Sequence, residues 1–492
     1  MRNQILINST FNETRVALIE DKNLAEIYVE RDLSPQIVGN IYKGRVEKIV
    51  PGMQAAFVDI GSGKSGFISV EDVYPDTILD LVDIEEPEKL KTNNKSIQDK
   101  LVQGQDVLVQ VIKEPVHGKG PKLTSNVSIP GKHLVLIAAA NIVGISHKIE
   151  DEEERDRLIE IISRLKPDNL GFIARTFSDG VKEKELAKEI KSLVKIWTRI
   201  KKSYEKRKRP NLIYETPSLT IRAVRDLVTY NIDEIIIDDE KLFSEIKKYL
   251  TKSYYSKKIK ITNYNSSRPL FEKYSIDKEV NEIYKKKVWL KSGGFLIIEE
   301  TEGLTVIDVN TGRYIGKTDQ NKTLLNINLE AAAEILRQIR LRNLVGIIVI
   351  DFIDLKDPSS RKKVFKTFKE GAQRDKARTV IQDISQFSVL QLTRQRTRES
   401  ILNTLADPCP TCMGIGRIKS KDTICYEILR KLKHLANKPK IKNITLEAHT
   451  DIINNLLQNE EDSINHLQER LGLKIKLIKK DVSLDKFSLK NN

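Results

Sequence analysis

The feature that most restricts the fold is a run of two strands, a helix and a further strand in the second half of the chain. In GGFLIIEETEGLTVIDVNTG (293–312) two strands meet at a Glu-Gly turn, and strict alternation places Val306, Asp308 and Asn310 on one face. The next segment, NLEAAAEILRQIRLRNLVG, has apolar residues at helical spacing, with Asn328 as its predicted N-cap. This pattern predicts an α/β unit built on one sheet.

The last strand of this unit, GIIVIDFIDL, brings a second acid, Asp351. Because a strand, helix, strand connection lets both strands lie in one sheet, we expect Asp308 and Asp351 to face one cleft. Two ionised carboxylates at strand ends need a compensating cation, and Mg²⁺ prefers such oxygen ligands. Asn310 shares the face of Asp308, and the intervening helix is rich in arginine (Arg337, Arg340 and Arg342).

The residues alone leave a second interpretation of these acids open. Either aspartate could cap a helix or accept backbone N–H bonds at a strand end. Asp354 lies three residues beyond Asp351 and would point to the opposite face if the strand continued, so it ranks lower as a ligand.

Charge and composition limit the classes of molecule that the protein is expected to bind. The net charge is +15, so the surface attracts polyanions, of which nucleic acid is the commonest, although a general excess of lysine would explain the charge equally. The apolar runs are too short for a membrane span, and the first residues lack the apolar core of a secretory signal. Three cysteines are too few for a disulfide framework. We therefore expect a cytoplasmic protein with no membrane partner.

The first half of the chain reads as short strands. From Ile37 the strands are separated by glycines, and five of them predict an OB-type barrel, which can stack bases on aromatic side chains. Phe57, Phe67 and Lys113 are the candidates, although each Phe could be a core residue. Lys201 to Arg209 could contact the RNA backbone or be a solvated helix end.

A cysteine motif follows the α/β unit. Cys409-Pro-Thr-Cys412 has the spacing and the glycine-rich exit of a zinc knuckle, but tetrahedral zinc needs four ligands and no second pair follows. Two chains could each supply two thiolates to one zinc, which predicts a homodimer. A redox-active CxxC is the alternative.

Long segments of the chain resemble the ribonuclease E/G family: LTVIDVNTG, LEAAAEILRQIRLRNLVGIIVIDFIDL, LTRQRTRESI, IVGNIYKGRV, PGMQAAFVDIG and ARTFSDGV. The resemblance covers nearly the whole chain. It implies an α+β multidomain fold with an RNase H-like subdomain (1–35 and 217–285), an S1 RNA-binding domain (36–127), a 5'-sensor domain (128–216), a DNase I-like catalytic domain (286–404), a zinc-link (405–418) and a small C-terminal domain (419–492).

The resemblance also implies roles for single residues. Asp308 and Asp351 match the magnesium ligands, and Asn310 matches the residue that positions the attacked phosphate or water. Phe57, Phe67 and Lys113 fall on the RNA-contacting positions of the S1 domain. Arg175 and Thr176 match the 5'-monophosphate sensor with Gly131 and Val135 beside them, where an isolated surface arginine would otherwise be the default interpretation. Cys409 and Cys412 match the zinc-link.

The expected function follows from these roles. The resemblance implies a magnesium-dependent, single-strand-specific endoribonuclease that leaves a 5'-phosphate and a 3'-hydroxyl and is stimulated by a 5'-monophosphate. It implies action in maturation of the 5' end of 16S ribosomal RNA and in messenger RNA decay. The alternative is a non-catalytic S1-type RNA-binding or ribosome-associated protein in which the acids are structural.

Overall fold

The structure is a computed structural model. It describes residues 3–31, 37–73, 82–84, 96–113, 120–138, 140–228, 232–252, 259–312, 320–395, 398–412, 414–436, 443–472 and 474–491. The chain divides into two units, Met1–Thr404 and Leu405–Asn492. Among the described helices, none is both long and apolar enough to cross a lipid bilayer.

The strands, in chain order, are β1 (Gln4–Thr10), β2 (Glu13–Glu20), β3 (Asn23–Arg31), β4 (Ile41–Val50), β5 (Ala55–Asp59), β6 (Gly66–Ser69), β7 (Val82–Ile84), β8 (Asp106–Lys113), β9 (Lys122–Thr124), β10 (Ser128–Pro130), β11 (Leu134–Ile137), β12 (Val143–Ser146), β13 (Gly171–Ala174), β14 (Asn211–Tyr214), β15 (Glu234–Ile237), β16 (Lys260–Asn263), β17 (Lys287–Trp289), β18 (Phe295–Glu300), β19 (Leu304–Asn310), β20 (Gly346–Asp351), β21 (Thr379–Ile381), β22 (Val389–Arg394), β23 (Asn443–His449), β24 (Lys474–Lys480) and β25 (Phe487–Asn491).

The helices are α1 (Ile97–Lys100), α2 (Glu152–Leu165), α3 (Glu183–Lys206), α4 (Leu219–Leu227), α5 (Glu240–Lys252), α6 (Leu270–Lys273), α7 (Ile276–Ile283), α8 (Gln320–Arg342), α9 (Pro358–Ala372), α10 (Ile401–Leu405), α11 (Lys421–Ala436), α12 (Thr450–Asn459) and α13 (Glu461–Leu471).

The first sheet joins the N-terminus to a later part of the chain. Its order is β16-β15-β1-β2-β3, with β1, β2 and β3 antiparallel and β15 parallel to both β1 and β16. Alternating apolar residues of β1 and β2 share one core with residues of α4 and α5, and Leu18, Val224 and Ile246 are among its members. The N-terminal strands are thus completed by a segment more than two hundred residues away in sequence.

The predicted five-stranded barrel is confirmed. Strands β4, β5, β6, β9 and β8 follow one another, and β8 pairs with β4 to close the ring, while β14 pairs with the first residues of β4. A Cβ at Gly66 would lie 2.4 Å from Leu123 Cδ1, so a larger residue there would displace this core side chain. The barrel core is aliphatic, with Val46, Val58 and Ile68 among its members.

A second five-stranded sheet, β10-β11-β13-β12-β7, follows the barrel. Helices α2 and α3 cover it, and Leu158, Trp197 and Phe172 share its core. β13 ends at Ala174, so Arg175 begins the turn at the end of the sheet.

A six-stranded sheet of the first unit carries the acidic pair and has the order β17-β18-β19-β20-β22-β21. Helices α8 and α9 bury one face, through residues such as Ile335 and Phe368 packed on Ile307 and Ile350. Apolar side chains of the opposite face remain exposed by 36% or more, namely Trp289, Val306, Ile347 and Val380. One face of the sheet is therefore open.

The predicted N-cap of the long helix is wrong. α8 begins at Gln320, so Asn328 lies inside the helix and is fully buried. Leu324, Leu325 and Ile327, which pack against the same core, continue the helical apolar pattern upstream of the predicted start.

The C-terminal unit is a small α/β domain. Its sheet has the order β24-β23-β25, with β23 parallel to β24 and antiparallel to β25. Helices α11, α12 and α13 pack on it through an aliphatic core that includes Ile428, Leu446 and Ile453.

Candidate active site and RNA-contacting surfaces

Asp308 and Asp351 lie at matching positions of two neighbouring parallel strands. The register pairs them directly, Asp308 on β19 with Asp351 on β20, so their Cα atoms are about one strand spacing apart, ~4.8 Å. Both are exposed, whereas Ile307 and Ile350 beside them are fully buried. The two acids thus lie side by side, as the order of strand, helix and strand predicts, but on an exposed face of the sheet where the prediction had one cleft.

Asn310 shares the face of Asp308, as predicted. Its Nδ2 donates to Asp308 Oδ2 over 2.8 Å. The amide therefore fixes one carboxylate oxygen and leaves the other one for a further ligand. The burial pattern of β19 alternates along its length, which agrees with the predicted face.

The electrostatics of the pair favour a bound cation. Partial burial raises the pKa of Asp351, and repulsion by the charges of Asp308 and Asp354 raises it further. β20 ends at Asp351, so the predicted alternation does not extend to Asp354, and that exposed carboxylate acts on the pair. A divalent cation would relieve this repulsion.

The donors fit magnesium. Mg²⁺ is commonly held by one or two carboxylates together with waters and substrate phosphates. Asp308 and Asp351 could supply the carboxylates, with Asn310 orienting the first. Within the described residues no group of three or more His, Cys, Asp or Glu side chains is placed so that it could hold a metal ion.

Asn328 supports the segment that follows Asp351. Its Nδ2 donates to Ile353 O over 2.7 Å, and Ile353 N donates to Asn328 Oδ1 over 3.1 Å. These two bonds link the buried face of α8 to the chain two residues beyond the acid. In the sequence, Asn328 is a polar residue beside an apolar helical stripe, a pattern that an N-cap and a buried bonding residue share.

The arginines of α8 do not face the acidic pair. Arg337 donates to Leu24 O and Glu279, Arg340 to Glu20 and Glu26, and Arg342 to backbone oxygens of residues 282, 283 and 285. They connect α8 to the N-terminal sheet, to α7 and to Lys285, which follows α7. Their role is structural, which spacing in the sequence could not reveal.

The aromatic residues of the barrel lie together. Phe57 and Phe67 are directly paired on β5 and β6, their ring centroids are 6.1 Å apart, and both are half-buried. Phe67 pairs with Lys122, which in turn pairs with Lys113. Lys122, which no sequence pattern singled out, lies between the predicted aromatic and basic positions and forms an ion pair with Asp72.

Arg175 and Gly131 of the predicted sensor are in contact. Arg175 Nη1 donates to Gly131 O over 2.7 Å, and a Cβ at Gly131 would lie 2.1 Å from Glu189 Oε1. Thr176 Oγ1 lies 3.2 Å from Ser146 Oγ. Val135 is half-buried on β11 and pairs with Ile173.

Arg175 also contacts an acid that the sequence did not single out. Its Nη2 donates to Asp226 Oδ1 over 3.1 Å. Burial acts to raise the pKa of Asp226, but the charges of Arg225, Arg175 and Lys376 and a hydrogen bond from Arg225 lower it to about 2. The guanidinium predicted to bind a phosphate therefore has a carboxylate partner, which is the kind of anion that its fork recognises.

A cavity of about 630 Å³ lies next to this contact. Lys113 of the barrel and Arg175 line it, together with Tyr28, Asp226 and Lys376. One predicted barrel residue, Lys113, and one predicted sensor residue, Arg175, thus line the same basic cavity.

The two cysteines of the CPTC motif form a turn. Gly416 N donates to Cys412 Sγ over 3.3 Å, and backbone N–H bonds from Cys412 and Thr411 lower the pKa of Cys409. The lowered pKa favours the thiolate form of Cys409, which is the form that binds zinc in a knuckle. Cys425 is buried in α11, and burial raises its pKa, so it does not suit a metal ligand.

Two family models match the chain. The first, described as "Ribonuclease E/G family", matches residues 128–397, and the second, "RNase E/G, Thioredoxin-like domain", matches residues 408–491. The second match covers the CPTC motif and the C-terminal unit.

Comparison with individual proteins points to the same family. Ribonuclease G of Haemophilus influenzae is 40% identical over 429 residues, which cover 87% of each chain. Ribonuclease G of Escherichia coli K12 is 36% identical over 480 residues, 97% of each chain. Ribonuclease E of Haemophilus influenzae is 35% identical over 477 residues, 96% of this chain and 50% of that protein. These matches show that this chain, which carries its acidic pair on an exposed face of a sheet, belongs to the ribonuclease E/G family.

Proposed function

We propose that the chain is a magnesium-dependent endoribonuclease that cuts single-stranded RNA at Asp308 and Asp351 and leaves a 5'-phosphate and a 3'-hydroxyl. The observation that carries the proposal is the direct pairing of the two carboxylates on the open face of the sheet. Membership of the ribonuclease E/G family supports RNA as the substrate. By the same likeness, we assign its action to 16S ribosomal RNA 5'-end maturation and messenger RNA decay.

We assign a separate role to each residue of the site. Asp308 and Asp351 would hold magnesium, which when bound polarises the scissile phosphodiester and activates a water for in-line attack. Asn310 keeps the Asp308 carboxylate oriented through its 2.8 Å hydrogen bond. Asn328 holds the chain after Asp351, so the second carboxylate is positioned by the buried side of the sheet.

The surfaces around the site would hold the RNA. Phe57 and Phe67 offer ring surface, and Lys113 offers charge near the cavity that Arg175 also lines. Stacking and phosphate contacts of this kind bind single strands without requiring a particular sequence.

A cleavage assay tests the proposal. A single-stranded oligoribonucleotide labelled at both ends should be cut internally in Mg²⁺, and the cutting should stop when EDTA is added in excess. Cleavage that continues in EDTA would refute the magnesium site. Binding of the RNA without any cleavage would favour the non-catalytic RNA-binding alternative.

Replacing Arg175 by Ala should lower the cleavage of 5'-monophosphorylated RNA by about tenfold or more, because charge-assisted hydrogen bonds to a phosphate contribute about 1.5–3 kcal/mol. Cleavage of the 5'-hydroxyl form of the same RNA should be unchanged. The measurement is the ratio of the two rates under single-turnover conditions.

Arg164→Ala is the matched control for the sensor, because Arg164 lies in the same domain on α2 and pairs with Glu183 at an exposed position. It should keep the wild-type ratio. Equal rates on both RNAs in the wild-type protein would remove the sensor role from Arg175.

We also propose that Cys409 and Cys412 supply two of four thiolates to a zinc ion shared by two chains. The double variant Cys409→Ala/Cys412→Ala should lose bound zinc and shift from dimer to monomer in sedimentation, since a shared tetrahedral site cannot form. Cys425→Ala, at a buried position of α11, is the control and should keep both zinc and mass. An unchanged mass in the double variant would contradict the shared site.

A further inference from the structure

A row of side chains crosses the open face of the sheet beside the acidic pair. Directly paired residues of neighbouring strands point to the same face. Trp289 on β17 pairs with Phe295 on β18, and Phe295 pairs with Asn310 on β19. Trp289 therefore lies on the face of Asn310 and Asp308, two strand spacings from Asn310, or ~10 Å.

This end of the row is aromatic and basic. Trp289 is 64% exposed, and its ring lies 5.4 Å from the Phe295 ring at an interplanar angle of 64°. Lys287 Nζ lies 3.9 Å from the Trp289 ring centroid and 3.7 Å from that of Phe295. The edge-to-face contact and the ammonium group together hold the indole in place while much of it remains in solvent.

We propose that Trp289 is a base-stacking platform for the RNA strand that crosses the acidic pair, with Lys287 as the cation beside it. The proposal rests on the proposed function, because it places the base near the phosphate that is cut. A preformed indole can stack on any base, and a neighbouring ammonium can contact the adjoining phosphate. The subsite would help to hold the strand on the open face while Asp308 and Asp351 act on it.

RNA suits this surface better than a protein partner does. A protein that covered Trp289 would lie within two strand spacings of Asn310 and would obstruct the face that the substrate must reach. The cation against the rings also matches a polyanion.

Fluorescence gives a direct test. The chain has two tryptophans, and the other, Trp197, is 8% exposed in the core of another domain. In EDTA, a bound single-stranded oligonucleotide should quench the emission of Trp289 and protect it from acrylamide. Trp289→Phe should lose this response. Binding measured by anisotropy without any change in emission would overturn the proposal.

Kinetics give the second test. Trp289→Ala should raise KM by about fivefold or more, as expected for one stacked base, and leave kcat nearly unchanged, while Trp289→Phe should recover most of the affinity. Phe11→Ala, an aromatic residue 98% exposed on the N-terminal sheet, is the control and should behave as wild type.

Abasic substitutions, placed one at a time near the cut, identify the stacked base. At one position the abasic substitution should raise the KM of the wild-type protein as much as Trp289→Ala does. At that same position it should raise the KM of the Trp289→Ala variant no further. An unchanged KM in Trp289→Ala would refute the proposal that Trp289 stacks on a base. A variant that changes its oligomeric mass and not its KM would refute it as well. If the wild-type protein does not cleave RNA, the proposed function itself fails, and the fluorescence result still decides whether Trp289 contacts RNA.

Discussion

Asp308→Asn is expected to lower RNA cleavage in Mg²⁺ by at least about 100-fold, the upper end of what loss of an indirect metal contact costs. Asp351→Asn should have a similar effect, because the two carboxylates are paired in register and would share one cation. Single-turnover cleavage of a 5'-phosphorylated single strand is the measurement. The double variant should lose little more than either single one, since residues that act as a unit are not additive.

These variants should remain folded. Partial burial raises the pKa of Asp351 and the charge of Asp308 raises it further, so removing one of the two charges removes a repulsion, and the melting temperature should stay level or rise. Asp354→Asn is the matched control: the same change at an exposed carboxylate next to the pair should lower the rate by less than about tenfold. An equal loss of cleavage rate in all three variants would show that the rate depends on the local negative charge. It would contradict a special role for the pair of Asp308 and Asp351.

Arg340→Met should destabilise the first unit by about 3–5 kcal/mol, the usual cost of leaving a buried charge without its partner. Arg340 is 8% exposed and Glu26 7%, and two guanidinium nitrogens donate to Glu26 Oε1 over 3.0 and 2.8 Å. The same guanidinium reaches Glu20, so one side chain of α8 joins two strands of the N-terminal sheet. Urea unfolding followed by circular dichroism is the measurement.

The pH dependence identifies the cause. Burial acts to raise the pKa of Glu26, but the charges of Arg340 and Lys376 and hydrogen bonds from Tyr28 and Arg340 lower it overall. A folded-state pKa below the unfolded one stabilises the protein above the unfolded pKa, and this contribution is lost as the pH falls through the folded pKa. The difference in the free energy of unfolding between the wild-type protein and Arg340→Met should therefore become smaller in acid.

Two further variants separate charge from packing. Arg340→Met with Glu26→Gln should recover part of the lost stability, because no unpaired charge then remains at Glu26. Arg268→Met removes an arginine from an exposed pair with Glu272 and should change stability little. If Arg340→Met were as mild as Arg268→Met, the joint between the two sheets would not depend on this ion pair.

Local pattern was enough for the parts of the site that depend on strand geometry. Alternation placed Asp308 and Asn310 on one face, and the strand, helix, strand order placed Asp351 beside them. Glycine spacing likewise predicted the closed barrel. These features follow from backbone periods of two residues and from the rules of sheet connection, which the sequence shows directly.

Contacts between distant segments could not be predicted in the same way. Asn328 bonds the backbone of Ile353, and Arg340 pairs with Glu26, more than three hundred residues away. Asp226 meets Arg175 only because α4 packs near the end of β13 in the folded chain. A polar residue on a helix carries no mark of its partner, so capping, solvation and a buried pair look alike in sequence.

The most direct test of the magnesium site is a titration of the metal-free protein with Mn²⁺ followed by electron paramagnetic resonance, since Mn²⁺ accepts the same oxygen ligands. We predict that the wild-type protein binds Mn²⁺ at a site that Mg²⁺ competes for, and that Asp308→Asn and Asp351→Asn each abolish this binding while Asp354→Asn retains it. Unchanged Mn²⁺ binding in both Asp308→Asn and Asp351→Asn would contradict the assignment of the pair.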